Sequence, residues 1–182
     1  MEPMLADGGR VVFLSSMAHN QAPGKPKTTL DWDNINYENP DTYNNWMAYG
    51  RSKLANVLDA KAFATHLAGR GINTYAVHPG IVSTELFRNL TDNSFESRLS
   101  RWLAPVQKYI LTAPLTGALT QLRCAVDPEL GAKELSGKYW ANMKEKQPSE
   151  LASDPANPPR FWDVTESMLE AKLGKKVDDV LS

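Results

Sequence analysis

The chain has 182 residues, the size of one domain, and 42% of them are hydrophobic, which is enough to build a buried core. Twenty basic and 21 acidic residues give a net charge of −1, which does not favour a nucleic-acid or anionic-membrane surface. The single cysteine, Cys124, excludes a disulfide framework and is expected in the core, and no apolar run is long enough to span a bilayer.

The first predicted element is a buried strand. Residues 10–16 read Arg-Val-Val-Phe-Leu-Ser-Ser, a continuous apolar run of the kind that parallel sheets bury on both faces. A long polar connection over residues 20–46 follows, and connections of this length are often functional. Residues 46–67 then carry apolar side chains at helical spacing, and Gly69 and Gly71 close the helix.

Strands and helices continue to alternate in the rest of the chain. Residues 73–78 predict a second strand that stops at Pro79-Gly80, and residues 137–140 predict a third. Helices are predicted over about 98–111, over 115–126, and over 160–173 after a proline-rich loop. This order indicates an α/β layer with parallel strands. Ligands bind such sheets at the carboxyl ends of the strands, where Ser15-Ser16, Pro79-Gly80 and the loop after Trp140 fall.

The most informative pair is Tyr49 and Lys53, at positions i and i+4 of the predicted helix. This spacing places a phenol and an ammonium on one helix face. A nearby ammonium favours the ionised form of a phenol, so the tyrosine could exchange a proton with an alcohol oxygen. The partner step is hydride transfer, which no side chain performs, so a nicotinamide cofactor is implied. Taken alone, the pair is also compatible with an ordinary exposed helical contact.

Three motifs in order make the pair specific: residues 10–16, then Tyr-Gly-Arg-Ser-Lys-Leu-Ala-Asn over 49–56, then His-Pro-Gly-Ile-Val-Ser-Thr over 78–84. Together they resemble the short-chain dehydrogenase/reductase family. Residues 49–56, the long insert before them and Gly-Lys-Tyr-Trp over 137–140 are most similar to the retinol dehydrogenase and WW-domain oxidoreductase branch. The resemblance runs from Arg10 to about Leu173.

The resemblance implies roles for individual residues. Tyr49 matches the catalytic acid/base. Lys53 matches the residue that promotes its ionisation and binds the nicotinamide ribose, and Ser16 matches the ligand of the substrate oxygen. The positions that match the loop holding the nicotinamide carboxamide are Pro79, Gly80, Val82 and Thr84. The implied cofactor is NADP or NAD, with NADP slightly favoured. The implied substrate is a lipophilic alcohol or carbonyl compound.

The resemblance also implies a fold: the C-terminal part of a Rossmann-type doubly wound parallel sheet, with about three strands. The glycine-rich strand–turn–helix that grips the pyrophosphate in such folds is absent, since Gly8-Gly9 precedes a strand instead of following one. We therefore expect a single partial domain over 1–182. Residues 1–9 would end a preceding helix and loop, 10–145 form the catalytic segment, and 146–182 form a C-terminal loop and helix.

Several alternatives stay open. The chain alone is expected to be inactive, and it could instead be a non-catalytic module that pairs with a second copy or another protein through an exposed strand edge. A sugar epimerase of the extended type shares the tyrosine–lysine pair. His19 could line the substrate pocket, although a turn histidine is favoured. An apolar stripe could cover the substrate, pack in the core or lie on a membrane: Trp102, Leu103, Val106 and Ile110.

The expected location is the cytoplasm. The N-terminal residues have neither a basic start nor a long apolar stretch, so they do not form a signal peptide. No metal site is expected, because His66 and His78 lack the spacing of metal ligands. Asn56 is expected to pack its helix against a neighbour, and Arg51 and Ser52 have no predicted role.

Overall fold

The computed structural model describes residues 5–21, 30–80 and 114–174. Its strands form one sheet in the order β1-β2-β3-β4, whose bounds are β1 Arg10–Leu14, β2 Asn73–His78, β3 Lys138–Ala141 and β4 Lys144–Lys146. The first three strands run parallel, and β4 returns antiparallel to β3. The predicted α/β class with three parallel strands is therefore confirmed.

Within the described residues four α-helices accompany the strands: α1 Asn45–His66, α2 Pro114–Val126, α3 Glu150–Ser153 and α4 Asn157–Leu173. Helix α1 begins where predicted because the Asn44 side chain accepts a hydrogen bond of 3.0 Å from the Met47 N–H. After α1 the chain turns through Gly71, whose φ of +65° favours glycine. The helix that connects β1 to β2 thus has a side-chain cap at its start, which was not predicted, and a glycine turn after its end, which was.

The sheet is covered on both faces, as a doubly wound arrangement requires. One buried cluster joins Ala76 and Tyr139 of the sheet to Leu54 and Leu58 of α1. The neighbouring strand residues Tyr75 and Trp140 point the other way and pack with Cys124 of α2. Cys124 is fully buried, as expected of a core cysteine, and burial raises the pKa of its thiol to about 11.

Two local predictions need correction. Strand β4 was not predicted: it is a short charged strand that follows a two-residue turn with positive φ at both Asn142 and Met143. Helix α2 fixes that turn, because the Arg123 guanidinium donates to Met143 O at 2.6 Å. Helix α4 begins at Asn157, three residues earlier than predicted, because prolines are tolerated in the first turn of a helix.

Asp59 lies in α1 with a largely buried carboxyl group. Burial raises the pKa of this carboxyl from 3.8 to about 6, so the unfolded chain ionises it more easily than the folded chain does. The carboxylate therefore destabilises the fold above about pH 6, and this penalty disappears as the pH falls toward 4.

We expect Asp59→Asn to raise the free energy of unfolding by roughly 1–2 kcal/mol at pH 7.5, because the amide has no charge to desolvate. The gain should shrink as the pH falls from 6 to 4. Urea unfolding across this range measures the effect, with Asp163→Asn on the exposed part of α4 as the matched control. A gain that did not change with pH would show that the buried charge is not its cause.

Candidate active site

The residues singled out in the sequence lie at one end of the sheet, where the parallel strands finish. By the strand register, the last residues of β1, β2 and β3 lie next to one another. Ser15-Ser16 follows β1 and Pro79-Gly80 follows β2 at this end, which is where parallel sheets bind ligands. After β3 the chain turns directly into β4, so the third predicted loop is a tight hairpin turn.

The beginning of α1 is tied to the end of β1 by three hydrogen bonds. The Ser15 hydroxyl donates to Lys53 O at 2.7 Å. In the opposite direction, Lys53 Nζ and Asn56 Nδ2 donate to Leu14 O at 3.2 and 2.7 Å. These bonds fix the helix face that carries Tyr49 against the edge of the sheet. They also give Asn56 the structural role that was expected of it.

Tyr49 and Lys53 share one face of α1, as their spacing predicts. Lys53 Nζ lies 5.6 Å from the centroid of the Tyr49 ring. The tyrosine is partly exposed, and its other neighbour is Trp46, whose ring centroid is 6.0 Å away. The phenol is therefore accessible to a small molecule and has a positive charge beside it. This arrangement can move a proton and offset the charge that remains on the phenol oxygen.

Ser16 is held in a turn by the buried His19. The His19 N–H and ring nitrogen Nδ1 both lie within hydrogen-bonding distance of Ser16 O, at 3.1 and 2.6 Å. The Ser16 hydroxyl accepts from the Ala18 N–H at 3.2 Å, which leaves its own proton free to donate to a ligand. Ser16 is half-buried, so a substrate oxygen could reach it.

His19 also connects this turn to a distant part of the chain. Its Nε2 accepts from the Ser149 N–H at 3.0 Å, and its ring centroid is 4.8 Å from that of Tyr139. Because Nε2 accepts, Nδ1 must carry the proton and donate to Ser16 O. Burial lowers the pKa of His19, which favours this neutral form. His19 thus positions the turn, as favoured from the sequence.

The end of β2 supplies the residues beside Pro79. Gly80 has a φ of +88°, a backbone conformation that favours glycine. His78 is buried. This burial is the main cause that lowers its pKa, and the nearby His19 lowers the pKa further. Its Nδ1 has no hydrogen-bond partner within the part of the chain that the structure describes. Val82 and Thr84 lie outside the described residues, as does the apolar stripe Trp102, Leu103, Val106 and Ile110.

The described residues suit the nicotinamide end of a dinucleotide. Lys53 has three N–H donors, and one hydrogen bond to Leu14 O leaves donors for ribose hydroxyls. Gly80 has no side chain to obstruct the end of the strand. Within the described ranges, no group of three or more His, Cys, Asp or Glu residues could hold a metal ion.

Two features of the site were not recognised in the sequence. Large apolar side chains lie exposed around Ser16 and Tyr49: Leu14 at 46%, Met17 at 54% and Trp46 at 44%. An apolar residue immediately after a strand-end serine was the available signal. Arg51, to which no role was assigned, donates to Asn34 O at 2.7 Å and stacks on the Tyr37 ring.

Comparison with known proteins places this geometry in a family. Dehydrogenase/reductase SDR family member 13 of Bos taurus is 35% identical over 173 residues, which are 93% of this chain and 41% of that protein. Human retinol dehydrogenase 12 is 38% identical over 160 residues, or 88% of this chain and 45% of that protein. Short-chain dehydrogenase TIC 32 A, chloroplastic, of Brassica napus is 34% identical over 90% of this chain and 48% of that protein.

The chain therefore belongs to the short-chain dehydrogenase/reductase family, and it spans about half the length of the curated relatives it matches. Within the family its relatives include the retinol dehydrogenases, so the resemblance noted in the sequence is confirmed.

Comparison with solved structures agrees with the fold. A crystal structure of an uncharacterised protein from Mycobacterium paratuberculosis matches with a TM-score of 0.59 at 21% identity, over 89% of this chain and 50% of that one. No family model matches the chain. Among the helices that the structure describes, none is both long and apolar enough to cross a membrane.

Proposed function

We propose that the chain carries the oxygen-handling part of an NAD(P)-dependent oxidoreductase that interconverts an alcohol and a carbonyl compound. The observation that carries the proposal is Lys53 Nζ at 5.6 Å from the Tyr49 ring, on a helix hydrogen-bonded to the end of β1 beside Ser16. Residues 10–145 would form the catalytic segment. The expected cytoplasmic location stays a prediction.

Each of the three side chains has a separate task in the proposed reaction. During reduction the Tyr49 hydroxyl gives its proton to the carbonyl oxygen, and during oxidation the phenolate takes it back. Ser16 donates a hydrogen bond to the same oxygen while negative charge develops on it. Lys53 offsets the charge that remains on Tyr49 and binds the ribose through its free donors. The nicotinamide supplies or accepts the hydride when it is bound.

The surroundings of the site support a lipophilic substrate. The exposed side chains of Leu14, Met17 and Trp46 offer apolar surface beside the reacting groups. Since several relatives are named retinol dehydrogenases, we propose a long apolar primary alcohol or its aldehyde, with retinol and retinal as the first compounds to test. By resemblance we propose NADP before NAD. Pro79, Gly80, Val82 and Thr84 would hold the nicotinamide.

Turnover can be tested in a chimaera in which residues 10–174 replace the matching part of human retinol dehydrogenase 12. Consumption of NADPH or NADH with retinal, followed by absorbance, should show activity. A folded chimaera that binds the cofactor but reduces no aldehyde would contradict the proposal.

A second candidate function is supported by the lateral edge of the sheet, which is formed by strand β1. Within the described residues β1 pairs with one neighbour, β2, and is less buried than β2, which is buried throughout. An unpaired edge offers backbone N–H and C=O groups to another strand. The 182 residues alone could therefore associate with a second copy and act as a non-catalytic interaction module.

Two measurements on the isolated 182-residue chain distinguish these functions. We expect calorimetric titration with NADPH and NADH to show binding weaker than micromolar, because the chain has no glycine-rich turn to hold the pyrophosphate. Light scattering over a range of concentrations reports association through the edge. A monomer that binds a cofactor with micromolar affinity would contradict both the expected weak binding and the interaction module.

A further inference from the structure

An exposed tryptophan lies in the first turn of α1, one turn before Tyr49. Trp46, Tyr49 and Lys53 stand at positions i, i+3 and i+7, so their side chains share one face of the helix. The Tyr49 ring has a neighbour toward each end of the helix: the Trp46 ring centroid is 6.0 Å from its own centroid, and Lys53 Nζ is 5.6 Å from it. Since Trp46 is 44% exposed, its indole offers surface to a ligand that reaches Tyr49.

The two neighbours of Tyr49 differ in what they can bind. Lys53 carries the charge, and its Nζ donates to Leu14 O at 3.2 Å, which ties this side of the tyrosine to the sheet. In the proposed function, this is the side that binds the cofactor ribose. The Trp46 side is uncharged and largely apolar. The apolar body of the substrate is therefore expected on the Trp46 side, away from the ribose.

The first turn of α1 holds the backbone of Trp46 in place. The Trp46 N–H donates to Asn45 Oδ1 at 2.8 Å. Asn44 caps the helix, because its side chain accepts from the Met47 N–H at 3.0 Å. Helix ends whose free N–H groups find such acceptors are stabilised. The indole is thus presented on a fixed backbone, and an aromatic side chain with two rotatable bonds loses little entropy on binding.

The relative orientation of the two rings favours a flat ligand. The planes of the Trp46 and Tyr49 rings are inclined by 31°, so a flat group that lies against the indole is inclined only slightly to the phenol. A carbonyl group that is conjugated with a flat body lies in the plane of that body. Such a body stacks on an aromatic face, whereas a saturated chain must lose its internal freedom to lie there.

The other oxygen-binding residue also has an apolar neighbour. Met17 directly follows Ser16 and is 54% exposed. A methionine side chain is flexible and adapts to ligands of different shape. An indole is rigid and adapts less. Of the apolar side chains adjoining Ser16 and Tyr49, Trp46 is therefore the one suited to distinguish one substrate from another.

We propose that Trp46 is a specificity-determining residue, whose indole stacks on a flat, conjugated body bonded to the reacting carbon. Conjugated primary alcohols and their aldehydes are then preferred to saturated ones of equal size. This inference rests on the proposed function, because it takes the substrate oxygen to lie between Ser16 and Tyr49. Trp46 takes no part in proton transfer, so it acts on substrate affinity and not on kcat.

Binding to the 182-residue chain is measured with retinol, whose fluorescence rises when it leaves water. The competitor is phytanol, a saturated isoprenoid alcohol with the same number of carbon atoms, which we expect to bind about tenfold more weakly. Trp46→Leu keeps an apolar side chain and should weaken retinol binding about tenfold while leaving phytanol binding nearly unchanged. Trp46→Phe keeps an aromatic ring and should retain most of the preference. Trp32→Leu, the same change at a ring that lies against Arg160, is the matched control and should bind both alcohols normally.

Steady-state kinetics of the chimaera separate this inference from the proposed function. Trp46→Leu should raise the KM for retinal about tenfold and leave kcat within about twofold. A chimaera without turnover, in a chain whose retinol binding depends on Trp46, would contradict the proposed reaction and still support the stacking surface. Equal affinity for retinol and phytanol, equal effects of Trp46→Leu and Trp32→Leu, or no saturable retinol binding to the unmodified chain would each overturn the inference.

Discussion

Replacing Tyr49 by phenylalanine is expected to lower turnover of the chimaera by about 10²–10⁴-fold, the range over which a positioned acid/base contributes to catalysis. The substitution removes one oxygen atom and keeps the ring that lies beside Trp46 and Lys53. Cofactor affinity should change little, because Lys53 and the Gly80 turn are unaltered. The expected signature is therefore a large loss in kcat with a nearly constant dissociation constant for NADPH.

Tyr43→Phe is the matched control, because Tyr43 is 60% exposed and its ring makes an edge-to-face contact with Tyr37, away from Lys53. It should retain full turnover. If Tyr49→Phe also retained turnover, Tyr49 would be removed from the mechanism, and Ser16 would have to exchange the proton unaided. Loss of both turnover and cofactor binding would indicate a misplaced helix and would be checked by circular dichroism.

The parts of the fold that were predicted from the sequence are those determined by residues close together in the chain. The strand at residues 73–78 has its predicted bounds because a run of six buried residues ends at Pro79-Gly80. Helix α1 follows from its apolar spacing and from stop glycines. The sheet edge then follows from the rule for parallel strands, which brought Ser16, Tyr49 and Gly80 into one region.

The missed parts depend on contacts between residues far apart in the chain. Strand β4 is three charged residues long, and its turn is held by Thr120 and Arg123 of α2. The contact of Trp32 in the insert with Arg160 of α4 joins residues that are separated by well over a hundred positions. Neither a hydrophobic pattern nor a short motif reports such pairings, so both features required three-dimensional structure.

The hydrogen bonds of His19 are the clearest example of such a distant contact, and they support the second large prediction. His19 is 1% exposed and joins Ser16 O to the Ser149 N–H, 130 residues away. We expect His19→Phe to lower the free energy of unfolding by about 1–3 kcal/mol, because a ring of similar size leaves the Ser149 N–H unpaired and removes one of the two hydrogen bonds to Ser16 O, which keeps the one from the main-chain N–H of residue 19. Chemical unfolding in urea measures the loss.

His66→Phe is the control, since His66 is exposed and stacks on the Trp162 ring at 3.9 Å, a contact that phenylalanine can retain. It should change the free energy of unfolding by no more than about 0.5 kcal/mol. An equal loss in the two variants would mean that ring packing, and not the pair of hydrogen bonds, accounts for the effect. Loss of turnover in His19→Phe would further indicate that the turn positions Ser16.

The pH dependence of the free energy of unfolding, compared between the unmodified chain and His19→Phe, separates the effect of the hydrogen bonds from that of the ring volume. Burial lowers the pKa of His19 below its ordinary value of 6.5, so below that pH the unfolded chain binds more protons than the folded chain. The stability that neutral His19 contributes is thus present above pH 6.5 and is lost as the pH falls through the lower folded pKa. The unmodified chain should consequently lose more of this stability than His19→Phe between about pH 7.5 and 5.5. Because Asp59 and His78 are present in both proteins, their own titration largely cancels in the difference, and equal losses would show that His19 is not held in its neutral form.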